Sequence, residues 1–241
     1  MRLAGKRAIV TGGGSGFGAG IARKFAAEGA EVLVTDINAE AAMAVADDIG
    51  GKALAMDVTL LADWEALATS HPADILVNNA GVTHLPAPME EVSEEDFDKV
   101  AAVNMKSIYY SARTVIAAMK GRGAGAVLNI ASTAGLSPRP RLNWYNASKG
   151  WVITATKAMA VELAPEGVRV NALCPVAGET PLLASFMGED SPEMRAKFLS
   201  TIPLGRFSTA EDLGNAACFL CSDEASMITG TTLEVDGGRC I

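Results

Sequence analysis

The chain has 241 residues, 49% of them hydrophobic, with 28 acidic and 20 basic side chains for a formal charge of −8. That length fits one α/β domain with a large core and leaves little room for a second. An acidic chain without basic runs is a poor match for nucleic acid or an anionic membrane, and its apolar runs are far too short to span a bilayer.

Met1-Arg2-Leu3-Ala4-Gly5-Lys6 leads at once into an apolar strand, which predicts no signal peptide and a cytoplasmic protein. The four cysteines (Cys174, Cys218, Cys221 and Cys240) are too few for a disulfide framework. Cys218-x-x-Cys221 falls inside a helical stretch at 211–222, and the two histidines, His71 and His84, are distant in sequence. Both thiols are expected to be small buried groups, with no metal site.

The chain then alternates. A short strand at 7–10 meets the glycine-rich run Thr11-Gly12-Gly13-Gly14-Ser15-Gly16-Phe17-Gly18, and a helix follows over 17–28, stopped by Gly29. A second strand at 31–35 closes with Asp36. Helices at 39–49 and 61–70 separate strands at 53–56 and 75–77. Two longer helices, 93–120 with a break and 144–163, flank a strand at 126–130. Strands at 168–173 and 231–235 complete the set. Ser93-Glu-Glu-Asp96 and Ser208-Thr-Ala-Glu211 have the form of helix-capping boxes. Continuous apolar strands between helices predict a Rossmann-like, doubly wound parallel sheet of about seven strands in one domain over 1–241. Residues 181–203 interrupt this rhythm with a short helix at 192–199. Lying beside the carboxyl ends of the strands, they are expected to form a lid.

Glycines between a strand and a helix let the backbone approach a pyrophosphate and aim amide groups at it. Two registers are open here: Gly14-x-Gly16-x-x-Ala19, and the longer Gly12-x-x-x-Gly16-x-Gly18. Asp36 ends the second strand twenty residues after Gly16. A carboxylate there suits the ribose hydroxyls of NAD and repels the extra phosphate of NADP. With no Arg or Lys at 12–18 or beside Asp36 and Ile37, NAD is the expected cofactor.

Tyr145 and Lys149 stand four residues apart on one face of the 144–163 helix. A phenol exchanges protons near neutral pH only if its phenolate is stabilised, and a neighbouring ammonium can do this. Alone, such a pair is an ordinary pair of helix neighbours.

Taken together, the glycine run, Asn78-Asn79-Ala80-Gly81, Asn104, Ser132 and Tyr145-x-x-x-Lys149 resemble the short-chain dehydrogenase/reductase family in its compact form. The likeness runs from Lys6 to Glu234-Val-Asp-Gly-Gly. The resemblance implies hydride transfer between a nicotinamide and a secondary alcohol or ketone. It also selects the longer glycine register, with Gly12, Ser15, Gly16, Phe17 and Gly18 forming the phosphate loop. Asp57 and Val58 would bracket the adenine, while Asn79, Ala80 and Gly81 would line the cofactor. Pro175, Val176, Gly178 and Thr180 would hold the nicotinamide carboxamide, although the family usually has glycine where Val176 stands. Tyr145 would be the general acid/base, its pKa lowered by Lys149 and the positive nicotinamide. Ser132 would hydrogen-bond the substrate oxygen, and Asn104 would hold a water that returns the proton through Lys149.

On the substrate side, Arg139 and Arg141 lie between Ser132 and Tyr145. They suit a carboxylate, phosphate or sulfonate, and solvent-facing loop charge is the competing reading. Trp144 and Met187 suggest an apolar wall, and His84 is expected in a surface loop. A homo-oligomer, tetrameric by resemblance, would use the small-residue faces of the long helices, including Ala147, Gly150 and Ala155. Two rival functions are an NADP-dependent 3-oxoacyl reductase and a non-catalytic NAD(H)-binding sensor. Asp36 speaks against the first, and the presence of all four catalytic positions against the second.

Overall fold

The computed structural model describes residues 1–241. Seven strands form one sheet: β1 (Arg7–Thr11), β2 (Glu31–Asp36), β3 (Lys52–Ala55), β4 (Ile75–Asn78), β5 (Gly125–Ile130), β6 (Val168–Pro175) and β7 (Thr232–Val235). Their spatial order is β3-β2-β1-β4-β5-β6-β7, and every neighbouring pair is parallel. The order reverses between β1 and β4, so the crossover connections leave in opposite directions and open a crevice at the strands' carboxyl ends.

Both faces of the sheet are covered at its centre, which explains why the central strands are largely apolar, with β4 buried at every position, whereas the edge strands β3 and β7 carry charged residues and bury none. The two-residue period divides the central strands between two cores. Ala8, Val10, Ile75 and Val77 pack with α1 (Gly16–Ala27) and α2 (Ala39–Ile49). Ile9 and Leu76 point the other way, toward Trp64 and Leu67 of α3 (Leu61–Ser70) and toward two long helices, α4 (residues 94–122) and α5 (Asn143–Leu163). Two short helices, α6 (Leu183–Met187) and α7 (Pro192–Leu199), stand in the connection between β6 and β7. The last helix, α8 (Ala210–Cys221), returns to the first face, where Cys218 and Cys221 are buried as free thiols. No helix is long and apolar enough to cross a membrane.

Three sequence expectations change. The break expected inside 93–120 is absent: residues 102–106 and 112–116 form wide π turns while the backbone beside each stays right-handed helical. No Gly or Pro lies within 102–116 to interrupt the helix, so its hydrogen-bond ladder widens instead of ending. The cap of α8 lies one residue later than expected. Thr209 and Asp212 form the reciprocal box, and Ser208 instead donates to the Val235 carbonyl at 3.0 Å. His84 is buried rather than on the surface, with Nδ1 2.8 Å from the Leu85 carbonyl and Nε2 without a partner.

Helices α1 and α8 meet with almost no side chain between them. A Cβ built on Gly20 would lie 2.4 Å from the Ala210 carbonyl oxygen, and one on Gly214 3.0 Å from the Gly20 oxygen. Gly20→Ala therefore has to push α8 off α1. Overpacking of this kind costs about 1–3 kcal/mol. Chemical denaturation should show that loss, and an unchanged midpoint would contradict the close contact.

Candidate active site

The crevice at the sheet switch point is a cleft of about 600 Å³, within the range of small-molecule sites. At one end it is lined by Asp36, Ile37, Asp57 and Val58. Its middle is lined by Gly12, Ser15, Gly16, Phe17 and Gly18 on one side and by Asn79, Ala80 and Gly81 on the other. Ser132, Tyr145, Lys149, Pro175, Val176, Gly178 and Thr180 line the remainder. Every residue expected at the cofactor thus borders one continuous space.

The glycine turn is built for close approach. Gly12 and Gly16 have φ of 60° and 52°, the left-handed region that favours glycine. A Cβ on Gly12 would meet the Ala80 Cα at 2.9 Å, and one on Gly18 the Gly12 oxygen at 2.3 Å. Asn79 ties the turn down by donating to the carbonyls of Thr11 (2.8 Å) and Gly12 (2.9 Å). Ser15, the N-cap of α1, makes no side-chain cap, which leaves its hydroxyl and the first-turn amides for a ligand. Amides, helix dipole and absent side chains together fit a dinucleotide pyrophosphate. Asp36 serves this turn too, accepting from the amides of Gly14 and Asn38 at 3.0 Å each.

Val176, where the family usually has glycine, does not disturb the far wall. Its side chain is buried with Leu183, Met187, Phe198, Ile202 and Phe207 in an apolar cluster beneath α6 and α7. Gly178 meets the need for a small residue instead, since a Cβ there would lie 2.2 Å from the Phe17 ring.

At the reacting end, the turn that follows β5 is set directly against α5. A Cβ on Gly135 would meet the Lys149 carbonyl carbon at 2.7 Å and the Gly150 nitrogen at 2.8 Å. This contact carries the turn after β5, and Ser132 with it, up to Tyr145. Ser132 is also the N-cap of that turn, accepting from the Ala134 amide at 3.1 Å, so its local and chemical roles coexist. Lys149 is buried and donates to the Ile130 carbonyl at 2.8 Å. Asn104 does not line the cleft. It is held behind Gly81 by the Val82 amide and carbonyl (2.9 Å each) and by Ser148 Oγ (3.0 Å). A first π turn in α4 contains it, a placement that polarity alone did not signal.

The electrostatics differ from the expectation that Lys149 lowers the Tyr145 pKa. Burial pushes the phenol up to about 12, with the Ser132 hydroxyl and then the Arg139 charge acting in the opposite direction. Burial likewise brings Lys149 down to about 8. Lys149 Nζ lies 5.8 Å from the Tyr145 ring centroid and is directed to a carbonyl, so each group's desolvation dominates.

Of the four residues expected at the substrate, only Arg139 lines the cleft. Met187 is 5% exposed and belongs to the apolar cluster under the lid helices. Trp144 faces outward, its indole donating to the Met89 carbonyl at 3.2 Å and its ring edge-on to Phe97. Arg141 is exposed, with only the Pro86 carbonyl near it at 3.4 Å. Helical phase explains the tryptophan: Trp144 precedes Tyr145 by one residue, so it takes a neighbouring face. The apolar wall comes instead from Leu142, Phe186 and Phe198, which the sequence did not single out.

The Lys149 shift has a pH consequence. The folded chain binds that proton more weakly than the unfolded chain, so stability from this group is reduced below pH about 8 and recovers as pH rises toward the ordinary lysine value of 10.5. Lys149→Met should abolish this rise in the stability difference between pH 8 and 10, measured by denaturation without cofactor. A variant that tracks the parent at every pH would show that Lys149 is not desolvated.

Comparison with known proteins agrees with this geometry. A sequence profile described as enoyl-(acyl carrier protein) reductase matches residues 12–239. The chain is 49% identical over 252 residues to a 4-formylbenzenesulfonate dehydrogenase of Comamonas testosteroni, a match covering 100% of each. A 2,5-dichloro-2,5-cyclohexadiene-1,4-diol dehydrogenase of Sphingobium indicum is 40% identical, with 98% of this chain and 97% of that one covered. Among solved structures, a 3-ketoacyl-(acyl-carrier-protein) reductase from Brucella melitensis complexed with NADH is 48% identical with a TM-score of 0.93, covering 99% of this chain and 100% of that one. The chain therefore belongs to the short-chain dehydrogenase/reductase family, oxidoreductases that act on CH–OH groups with a nicotinamide cofactor.

Proposed function

We propose that the protein is an NAD-dependent dehydrogenase that interconverts a small secondary alcohol and its ketone, with Tyr145 exchanging the proton. The observation that carries this reading is a single cleft lined at one end by Asp36 and at the other by Tyr145, Ser132 and Lys149. The ring-bearing compounds named for two relatives, 4-formylbenzenesulfonate at 49% identity and a dichlorocyclohexadienediol at 40%, support ring-bearing molecules as the substrate range.

The nicotinamide supplies or accepts the hydride when bound. The chain's own groups do the rest. In reduction, Tyr145 gives its proton to the carbonyl oxygen, and Ser132 donates a hydrogen bond to that same oxygen. In oxidation the phenol must first lose its proton, which burial opposes. The positive charge of the oxidised cofactor would offset most of that penalty, with Lys149 adding to it. Asn104 spends both amide hydrogens and one acceptor position on Val82 and Ser148. The acceptor position that remains can hold the water through which Lys149 is reprotonated.

Asp36 supports NAD over NADP, because a second anionic group at the ribose would face a carboxylate with no arginine or lysine at 12–18 or 36–38. Residues 181–203 would act as the lid, hinged on the apolar cluster around Val176 and Phe198. Exposed Phe97, Tyr109, Trp151 and Val161 on the two long helices support a homo-oligomer built on those helices. Four free thiols, three of them buried, suit a reducing cytoplasm.

Tyr145→Phe should cut turnover by about 10²–10⁴-fold, the usual share of a general acid/base, while NADH still binds, as fluorescence titration would show. Near-normal turnover in that variant removes Tyr145 from the chemistry. Asp36→Ala should lower the ratio of kcat/KM with NAD to that with NADP by about tenfold or more, a loss of roughly 1.4 kcal/mol in discrimination. An unchanged ratio would place cofactor choice elsewhere.

A further inference from the structure

The substrate end of the cleft holds a charge that the chemistry above does not use. Arg139 lines the cleft beside Leu142, Phe186 and Tyr145, with its Cζ 4.0 Å from the centre of the Phe198 ring. The stack covers one face of the guanidinium, whose N–H donors lie in its plane and stay free. Only the backbone carbonyl of Arg139 is engaged, by Asn146 Nδ2 at 2.7 Å.

The nearest charge is not a counter-ion. Arg239, from the C-terminal segment, reaches the same loop with Nη1 3.4 Å from Ser137 Oγ, and its Nε is buried without a partner. Burial first, and repulsion from Arg239 second, bring Arg139 down to about 10. Five other arginines pair with carboxylates (Arg2, Arg7, Arg23, Arg195 and Arg206), and half-buried Arg169 spends its donors on the Leu220, Ser222 and Ile228 carbonyls, whereas the Arg139 guanidinium has neither kind of partner. In a chain with 28 acids and 20 bases, two neighbouring guanidiniums without a carboxylate are a departure. The loop that carries Arg139 is also strained, since Arg141 is the one non-glycine residue with a left-handed φ, 68°. Desolvating an unpaired cation is costly unless a ligand brings the opposite charge.

We propose that this site takes an anionic substrate, a small alcohol or carbonyl compound bearing a carboxylate or sulfonate that Arg139 binds through its free N–H edge. Arg239 reinforces the positive potential, and the apolar residues between Arg139 and Tyr145 receive the body of the molecule. Arg141 plays no part, being exposed and turned to Pro86. The assignment rests on the dehydrogenase reading for the reacting end alone.

Two measurements test it separately. Turnover with NADH is compared for matched pairs, benzaldehyde with 4-formylbenzenesulfonate and cyclohexanone with 4-oxocyclohexanecarboxylate. Binding of benzenesulfonate to the NADH-saturated enzyme is followed by calorimetry. The charged member of each pair should be preferred at least tenfold in kcat/KM, mainly through KM. Arg139→Ala and Arg139→Gln should each remove most of that preference and weaken benzenesulfonate binding at least tenfold; the glutamine variant retains bulk against Phe198 should the alanine variant not fold. Arg141→Ala should match the parent in both measurements. Failure of the parent to bind benzenesulfonate, equal binding by the parent and the Arg139 variants, or a parental preference for the neutral compounds overturns the anion site. Arg139-dependent binding without turnover of any compound would count against the dehydrogenase reading and leave the anion site standing.

Discussion

The reacting end of the cleft depends on one desolvated cation. Lys149 is buried at the carboxyl end of β5 and is held there by the Ile130 carbonyl. It reaches that place because Gly135 allows the turn after β5 to lie on the backbone of α5. With any larger residue at 135, strand and helix would separate, and Ser132 would move away from Tyr145. Burial favours the neutral forms of both Tyr145 and Lys149. Without ligand, the phenol is therefore a proton donor. The charge that makes it a base has to come largely from what binds beside it, which couples proton transfer to the presence of the oxidised cofactor.

The framework was legible because hydrophobic period and glycine placement act locally. Apolar runs of three to six residues between helical stretches pointed to the parallel sheet, since strands covered on both faces are largely apolar. Gly12, Gly16 and Gly18 marked the cofactor turn because each answers a nearby steric demand, a left-handed φ or a backbone contact. Helix boundaries at 39–49, 61–70 and 192–199 agree with the structure to the residue.

What the sequence did not reveal depends on contacts between distant segments. Position between Ser132 and Tyr145 could not tell Arg139, which turns into the cleft, from Arg141, which turns out. Met187 is apolar and near the mouth, yet it packs beneath the lid with Val176 and Phe207. Phe186, its neighbour, takes the wall instead, with its ring centroid 5.1 Å from that of Tyr145. His84 is enclosed although a place near the mouth suggested a surface loop. The capping box of α8 moved by one residue because Ser208 was drawn into a bond with β7. In each case side-chain type was informative and direction was not, since direction is decided by partners far away in the chain.

The bond from the Gly14 amide to Asp36 joins two properties that are usually treated apart. The carboxylate expected to discriminate between the two dinucleotides is also a strut for the turn that receives their shared diphosphate. Drift toward the phosphorylated cofactor is therefore constrained: a basic residue introduced at 36 would leave that amide without its acceptor and slacken the grip common to both coenzymes. A lineage escaping this trap would first need a neutral acceptor at 36, such as asparagine or serine, before any cation could be added nearby.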